Sequence, residues 1–151
     1  MRKNTVRAPL SEAEARTRST ITYETGELNM IGYVTLGTND LARAARFYDA
    51  LLGDLGAKRI MENEQFIAWG KDMTSPGLGI TYPFDKKPAS VGNGVMVALA
   101  VDSTEKVNAL HRKAIELGGR DEGAPGPRGE GFYAGYFRDL DGNKLNVFVA
   151  G

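Results

Sequence analysis

The sequence has no cysteine and one histidine, His111. The missing thiols exclude disulfides, thiolate zinc sites, iron–sulfur clusters and a cysteine nucleophile. A single imidazole excludes any metal site built on two, and a lone histidine on a helix face gives no footing for a Ser/His/Asp arrangement. Neither charge is in excess: 19 Lys and Arg balance 19 Asp and Glu. That balance removes the electrostatic reason to expect a nucleic-acid partner. No apolar run approaches the roughly 20 residues that cross a bilayer, so no membrane partner is expected. The glycine-rich stretches Gly92-Asn-Gly94 and Gly123-Ala-Pro-Gly126 read as turns, because neither opens a helix after a strand as a phosphate-binding loop must. What is present is 151 residues, 42% apolar and 25% charged, the profile of a globular domain.

Residues 1–29 differ from the rest. They carry five basic and four acidic residues and few large apolar ones, and they lack the apolar core of a secretion signal. The expectation is a cytoplasmic protein with an N-terminal arm or extension. Ser11 to Arg18 has the makings of a short helix, with Ser11 capping and Glu14 as its capping-box partner. The organised pattern begins at Met30, and Gly26-Glu27 just upstream is consistent with a translated ribosome-binding sequence and a start at Met30.

From Met30 on, strand-like runs alternate with two helical patterns. IGYVTLG (31–37) reads as a strand and leads into Asn39-Asp40, either of which can cap a helix. Leu41, Ala44, Tyr48, Leu51, Leu52 and Leu55 then fall on one helical face, and Gly56 is a stop. Strands follow around 57–62, 65–70 and 77–82. The order repeats with a strand at 95–101, a helix opened by Asp102 with Glu105 and striped by Val107, Leu110, Ala114 and Leu117, and strands at 132–137 and 144–149. Superposing Tyr33 on Met96 also aligns Leu36 with Leu99, Phe47 with Leu110 and Gly56 with Gly119. The predicted class is α+β: two βαβββ modules, about 31–84 and 94–151, within one domain spanning 30–151.

The runs MIGYVTLGTNDLARAARFYDALLGDLG, YPFDKKPASVGNGVMVAL and GGRDEGAPGPR followed by FRDLDGNKLNVF resemble the vicinal oxygen chelate superfamily of glyoxalases, bleomycin-resistance proteins and extradiol dioxygenases. The resemblance implies a cup of paired modules, frequent homodimers, and a divalent metal held by His or Glu on the first and last strands of each module. Carried over, those ligand positions fall on Tyr33, Met96, Asn146 and, within a residue, Ile80 or Thr81. None is a carboxylate or an imidazole, so no metal and no other cofactor is expected.

If the three assigned positions still point inward, strand alternation adds Thr35 and Ala98 to the same surface. Pairing the last hairpin through its Asp-Gly turn puts Phe137 with Leu145 in the core and Tyr136 with Asn146 on the pocket side. Trp69, Tyr82 and Phe148 are further aromatic candidates. Such a lining suits a small planar or apolar ligand in a cavity of roughly 300–1,000 Å³. Tyr33 and Met96 equally suit simple packing, Asn146 a satisfied buried amide, and His111 an amphipathic packing residue. Arg128 and Glu130 lie on a loop able to reach the cavity mouth; solvated loop charges are the alternative. The leading functional reading is a metal-free small-molecule-binding protein, sequestering or accessory. The alternative is a metal-free enzyme using Tyr33, Tyr136 or Glu130 in proton transfer, and behind it stands a metal-dependent lyase, isomerase or dioxygenase.

Overall fold

A computed structural model describes residues 30–151. The short helix expected over Ser11 to Arg18, with the rest of the arm, lies outside the described residues. Module one runs β1 (Tyr33–Gly37), α1 (Leu41–Gly53), β2 (Lys58–Glu62), β3 (Phe66–Gly70) and β4 (Gly77–Thr81). Module two repeats the order with β5 (Val97–Ala100), α2 (Thr104–Glu116), β6 (Arg120–Pro127), β7 (Phe132–Arg138) and β8 (Lys144–Ala150). Each module is a four-stranded sheet, ordered β1-β4-β3-β2 and β5-β8-β7-β6. The first strand pairs parallel to the last in both, and the other pairings are antiparallel.

Local chemistry sets the helix starts. Asp40 caps α1, its carboxylate accepting from the Arg43 N–H at 2.9 Å. Asn39 instead exchanges two hydrogen bonds with Ala89 and ties down the link between modules. The cap of α2 is Ser103, accepting from the Lys106 N–H, rather than the expected Asp102. Helical geometry begins one residue later than the capping-box pattern suggested, and Asp102 pairs with the Lys106 ammonium at 2.7 Å. Leu55 falls beyond the end of α1 and is exposed rather than part of its buried stripe.

The stretch Arg120–Pro127 departs most from the sequence reading. Its Gly123-Ala-Pro-Gly126 run, read as a turn, belongs to the second strand of module two. It sits at the sheet edge, where proline's missing N–H leaves no ladder bond broken, and its pairing with β7 slips between Asp121 and Gly123 and again before Gly126. Glycine and proline there mark a bulged edge strand.

Alternation along every strand separates two faces. Val34, Leu36, Ile67, Trp69, Leu78 and Ile80 turn toward α1, and Val97, Leu99, Phe137, Leu145, Val147 and Val149 toward α2, forming one apolar core. The helices pack against each other and join the modules, while β1 and β5, each at one edge of its sheet, do not touch. A polar seam completes the junction. Asp139, in the turn before β8, accepts from the Tyr48 hydroxyl at 2.6 Å, the Asn143 amide at 2.9 Å, and two backbone N–H groups. Asp141 accepts from the Thr38 hydroxyl, the Asn39 N–H and Arg43. Burial raises the Asp139 carboxyl above the usual range against these hydrogen bonds, and burial beside that carboxyl pushes the Tyr48 phenol well up. No helix among the described residues is long and apolar enough to cross a membrane.

Candidate functional site

The polar and aromatic groups left over by the core gather on the face of the second sheet turned away from α2. The β7/β8 register arranges them in rows: Arg138 opposite Lys144, Tyr136 opposite Asn146, and Ala134 opposite Phe148. Rows on one face lie two residues apart, about 7 Å. On the other flank of β8, Ala98 stands beside Asn146 and Ala100 beside Phe148; both alanines are exposed, so that flank is free of bulky side chains. Phe132 stacks on Phe148 with ring centroids 5.2 Å apart. The surface therefore grades from cationic, through amide and phenol, to aromatic.

At the charged end an open cavity of about 420 Å³ is lined by Val91, Val95, Met96, Arg138 and Lys144, among others. Arg138 donates from Nε to Glu122 at 2.7 Å and from Nη1 to the Gly142 carbonyl at 3.1 Å. The bond from Arg138, helped by the nearby Lys144 and Arg120 charges, holds the Glu122 carboxyl below its usual range. The Lys144 ammonium lies 5.6 Å from the Tyr136 ring centroid and has no ion-pair partner among the described residues. From the edge loop the Arg128 guanidinium also lies over Tyr136, at 5.6 Å, fixed by its bond to the Ala124 carbonyl. Lys144 and Arg128 thus flank one phenol ring, and Arg138 holds the carboxylate of Glu122.

Asn146 is 2% exposed, and its Oδ1 has no hydrogen-bond partner among the described residues. A buried amide oxygen left unpaired costs about 1–3 kcal/mol. It is an unspent acceptor in the middle row.

The residues singled out from sequence divide into groups. Tyr136, Asn146 and Phe148 share the open face of module two with Ala98, and the predicted register, Tyr136 with Asn146 and Phe137 with Leu145, is the one found. Met96 precedes β5 at the cavity, 41% exposed. Tyr33, 66% exposed, and Thr35 share the open face of module one; because β1 and β5 do not meet, one chain does not bring them beside Asn146. Trp69 does not belong to either open face. It is 1% exposed on the helix side of β3, stacked toward Tyr48 and donating from Nε1 to Asp49 at 2.8 Å. The alternation of β3 turns it inward with Ile67. Tyr82, too, is engaged at the helix start, its hydroxyl accepting from the Leu41 N–H. His111 packs under β7, its Nε2 at 3.1 Å from both Asp121 Oδ1 and the Tyr136 carbonyl, away from the open face.

The register also corrects the fourth position inherited from the resemblance. Thr35 pairs with Gly79 as Ala98 pairs with Asn146, so the counterpart of Asn146 is Gly79 rather than Ile80 or Thr81. A side chain at Gly79 would strike the Phe66 ring, which occupies that space. Phenol, thioether, amide and no side chain at all make a donor set that does not fit a divalent cation. Among the described residues no three His, Asp or Glu side chains group to hold a metal.

Sequence reasoning missed Arg138, Lys144 and Phe132. The signal was available: the hairpin register that pairs Tyr136 with Asn146 puts Arg138 and Lys144 one row away on the same face.

Residues 30–147 match the model of the Glyoxalase/Bleomycin resistance protein/Dioxygenase superfamily. Among solved structures, a glyoxalase/bleomycin resistance protein from Albidiferax ferrireducens T118 is 37% identical with a TM-score of 0.73, over 80% of this chain and 98% of that one. The hypothetical protein SA1046 of S. aureus is 26% identical with a TM-score of 0.63, over 83% and 96%. The fosfomycin resistance protein FosX from Mesorhizobium loti shares the fold at 16% identity, with a TM-score of 0.60 over 83% and 95%. No curated protein matches the chain.

Proposed function

The chain belongs to the glyoxalase/bleomycin resistance protein/dioxygenase superfamily, and on that footing we propose that it is a metal-free small-molecule-binding protein, sequestering or accessory in role, that works as a homodimer. The observation that carries the reading is the unpaired, buried Asn146 amide at a position where the family's chemistry calls for a metal ligand. A side-chain oxygen with no pairing partner among the described residues, set among Tyr136, Phe148 and two cations, has its polar capacity free for a ligand. The bleomycin-resistance proteins from which the family and its 37%-identical relative take part of their names support a role toward a small compound, and the poor donor set argues against Lewis-acid chemistry.

Dimerisation is supported by the edge strands β1 and β5, unpaired on their outer sides among the described residues, and by the exposed apolar side chains near them, Ile31, Tyr33, Val95 and Met96. A second copy would bring the open face of module one, with Tyr33 and Thr35, against the cationic face of module two.

The test is a thermal-shift screen of small organic molecules with a chelator present, alongside sedimentation of the free protein. A ligand at 100 times its dissociation constant should stabilise the fold by about 2.7 kcal/mol whether or not chelator is added. Stabilisation only by a stoichiometric divalent metal, with turnover that the chelator abolishes, would overturn the proposal. A monomer at all concentrations would remove its dimeric part.

A further inference from the structure

Resting on the reading that module two binds a small molecule, we infer that its ligand is an amphipathic organic acid. Its carboxylate is held by Lys144 and Arg138, a hydroxyl next to that carboxylate donates to Asn146, and an aromatic body lies along Phe148 and Phe132. The order of these groups follows the order of the rows on the sheet.

Charge comes first. Glu122 is the carboxylate bonded within the cluster, and it is already engaged by Arg138. Lys144 is without an ion-pair partner among the described residues, and the two Arg138 bonds to protein leave its Nη2 available. Cations gathered around a cavity raise the local concentration of anions, and a carboxylate accepts from both ammonium and guanidinium. The cationic row is one row deep, which favours a single small head over a polyphosphate.

The middle row then narrows the head. Asn146 Oδ1 is an acceptor, and an anionic oxygen placed against it would repel it. The group that satisfies it is an O–H or N–H next to the carboxylate, as in a 2-hydroxy acid. Beyond it, Phe132 and Phe148 offer a stacked aromatic surface, while Ala98 and Ala100 leave the neighbouring flank open. Lys144 and Phe148 stand four residues apart, about 13 Å of strand. The Lys144 side chain leans along that span as far as the Tyr136 ring, which shortens the distance a linker between head and ring must cover.

The experiment titrates the full chain calorimetrically with four probes. Phenyllactate carries head, hydroxyl and ring; 3-phenylpropionate lacks the hydroxyl; 3-phenylpropane-1,2-diol lacks the charge; lactate lacks the ring. Phenyllactate should bind tightest, 3-phenylpropionate about fivefold weaker, and the diol and lactate at least about tenfold weaker. Raising NaCl should weaken the two aromatic acids and leave the diol unchanged. Lys144→Gln should weaken phenyllactate about tenfold without affecting the diol, and Asn146→Leu should erase the preference for phenyllactate over 3-phenylpropionate. The inference is overturned if the diol binds as tightly as phenyllactate, if neither aromatic acid binds, or if acid binding is indifferent to salt and to Lys144. Tight binding of the diol alone would remove the acid and leave the small-molecule reading intact. A blank across the wider screen, with metal-dependent turnover, would remove both. Should Lys144→Gln not fold, the probe series and its salt dependence in the native protein decide the matter.

Discussion

Where module two carries Asn146, module one carries Gly79, and the rings beside them behave oppositely. Phe66 lies over Gly79 and fills the place a side chain would take. In module two, Tyr136 stands opposite an amide whose oxygen is unpaired, with Lys144 and Arg128 against its ring. The same strand order, helix and register therefore support one face closed by its own aromatic residue and another that keeps polar capacity in reserve. Topology fixes where side chains stand and leaves their chemistry free, so two repeats under one core can diverge on their open faces without loss of fold.

The comparison breaks most severely at the seam that joins its two halves. Asp139→Ala strips the Tyr48 hydroxyl and the Asn143 amide of their shared acceptor. It should lower stability by about 3 kcal/mol, read from urea unfolding. A loss below about 0.5 kcal/mol would mean that the modules are held by apolar helix packing alone.

A smaller effect is expected inside module one. Gly79→Ala drives a methyl into the Phe66 ring and should cost about 1–2 kcal/mol. Ala98→Val on the exposed flank of module two should change stability by less than about 0.5 kcal/mol. Equal costs at the two positions would contradict the contrast between a filled face and an open one.

A further expected change has the opposite sign. Asn146→Leu removes an unpaired buried amide and should raise Tm by about 3 °C, while weakening ligand capture. A fall in Tm would show that the amide is satisfied within the fold and is structural.

Much of this molecule was legible before any coordinates. The twin repeat, both helices and the Tyr136–Asn146 register follow from spacing, because burying an apolar stripe forces a period of 3.6 or 2. The candidate site was half legible. Asn146, Tyr136 and Phe148 were found by resemblance and alternation, and Arg138 and Lys144 lay within reach of the same register. Trp69 was misplaced because an aromatic residue in a strand can serve either face, and only the phase of β3 against α1 decides which. Arg120–Pro127 was missed because glycine and proline signal a turn locally, while an edge position lets a strand tolerate them.

By itself the sequence determined the fold class, the duplication and the exclusion of thiolate or paired-imidazole metal chemistry, since these depend on which residues exist and at what interval. Tertiary structure alone decided that Phe66 fills the space over Gly79, that β1 and β5 stay apart, and that cations from β8 and the edge loop converge on Tyr136. Those facts depend on how distant strands are brought into register and packed, a long-range outcome that no local interval encodes.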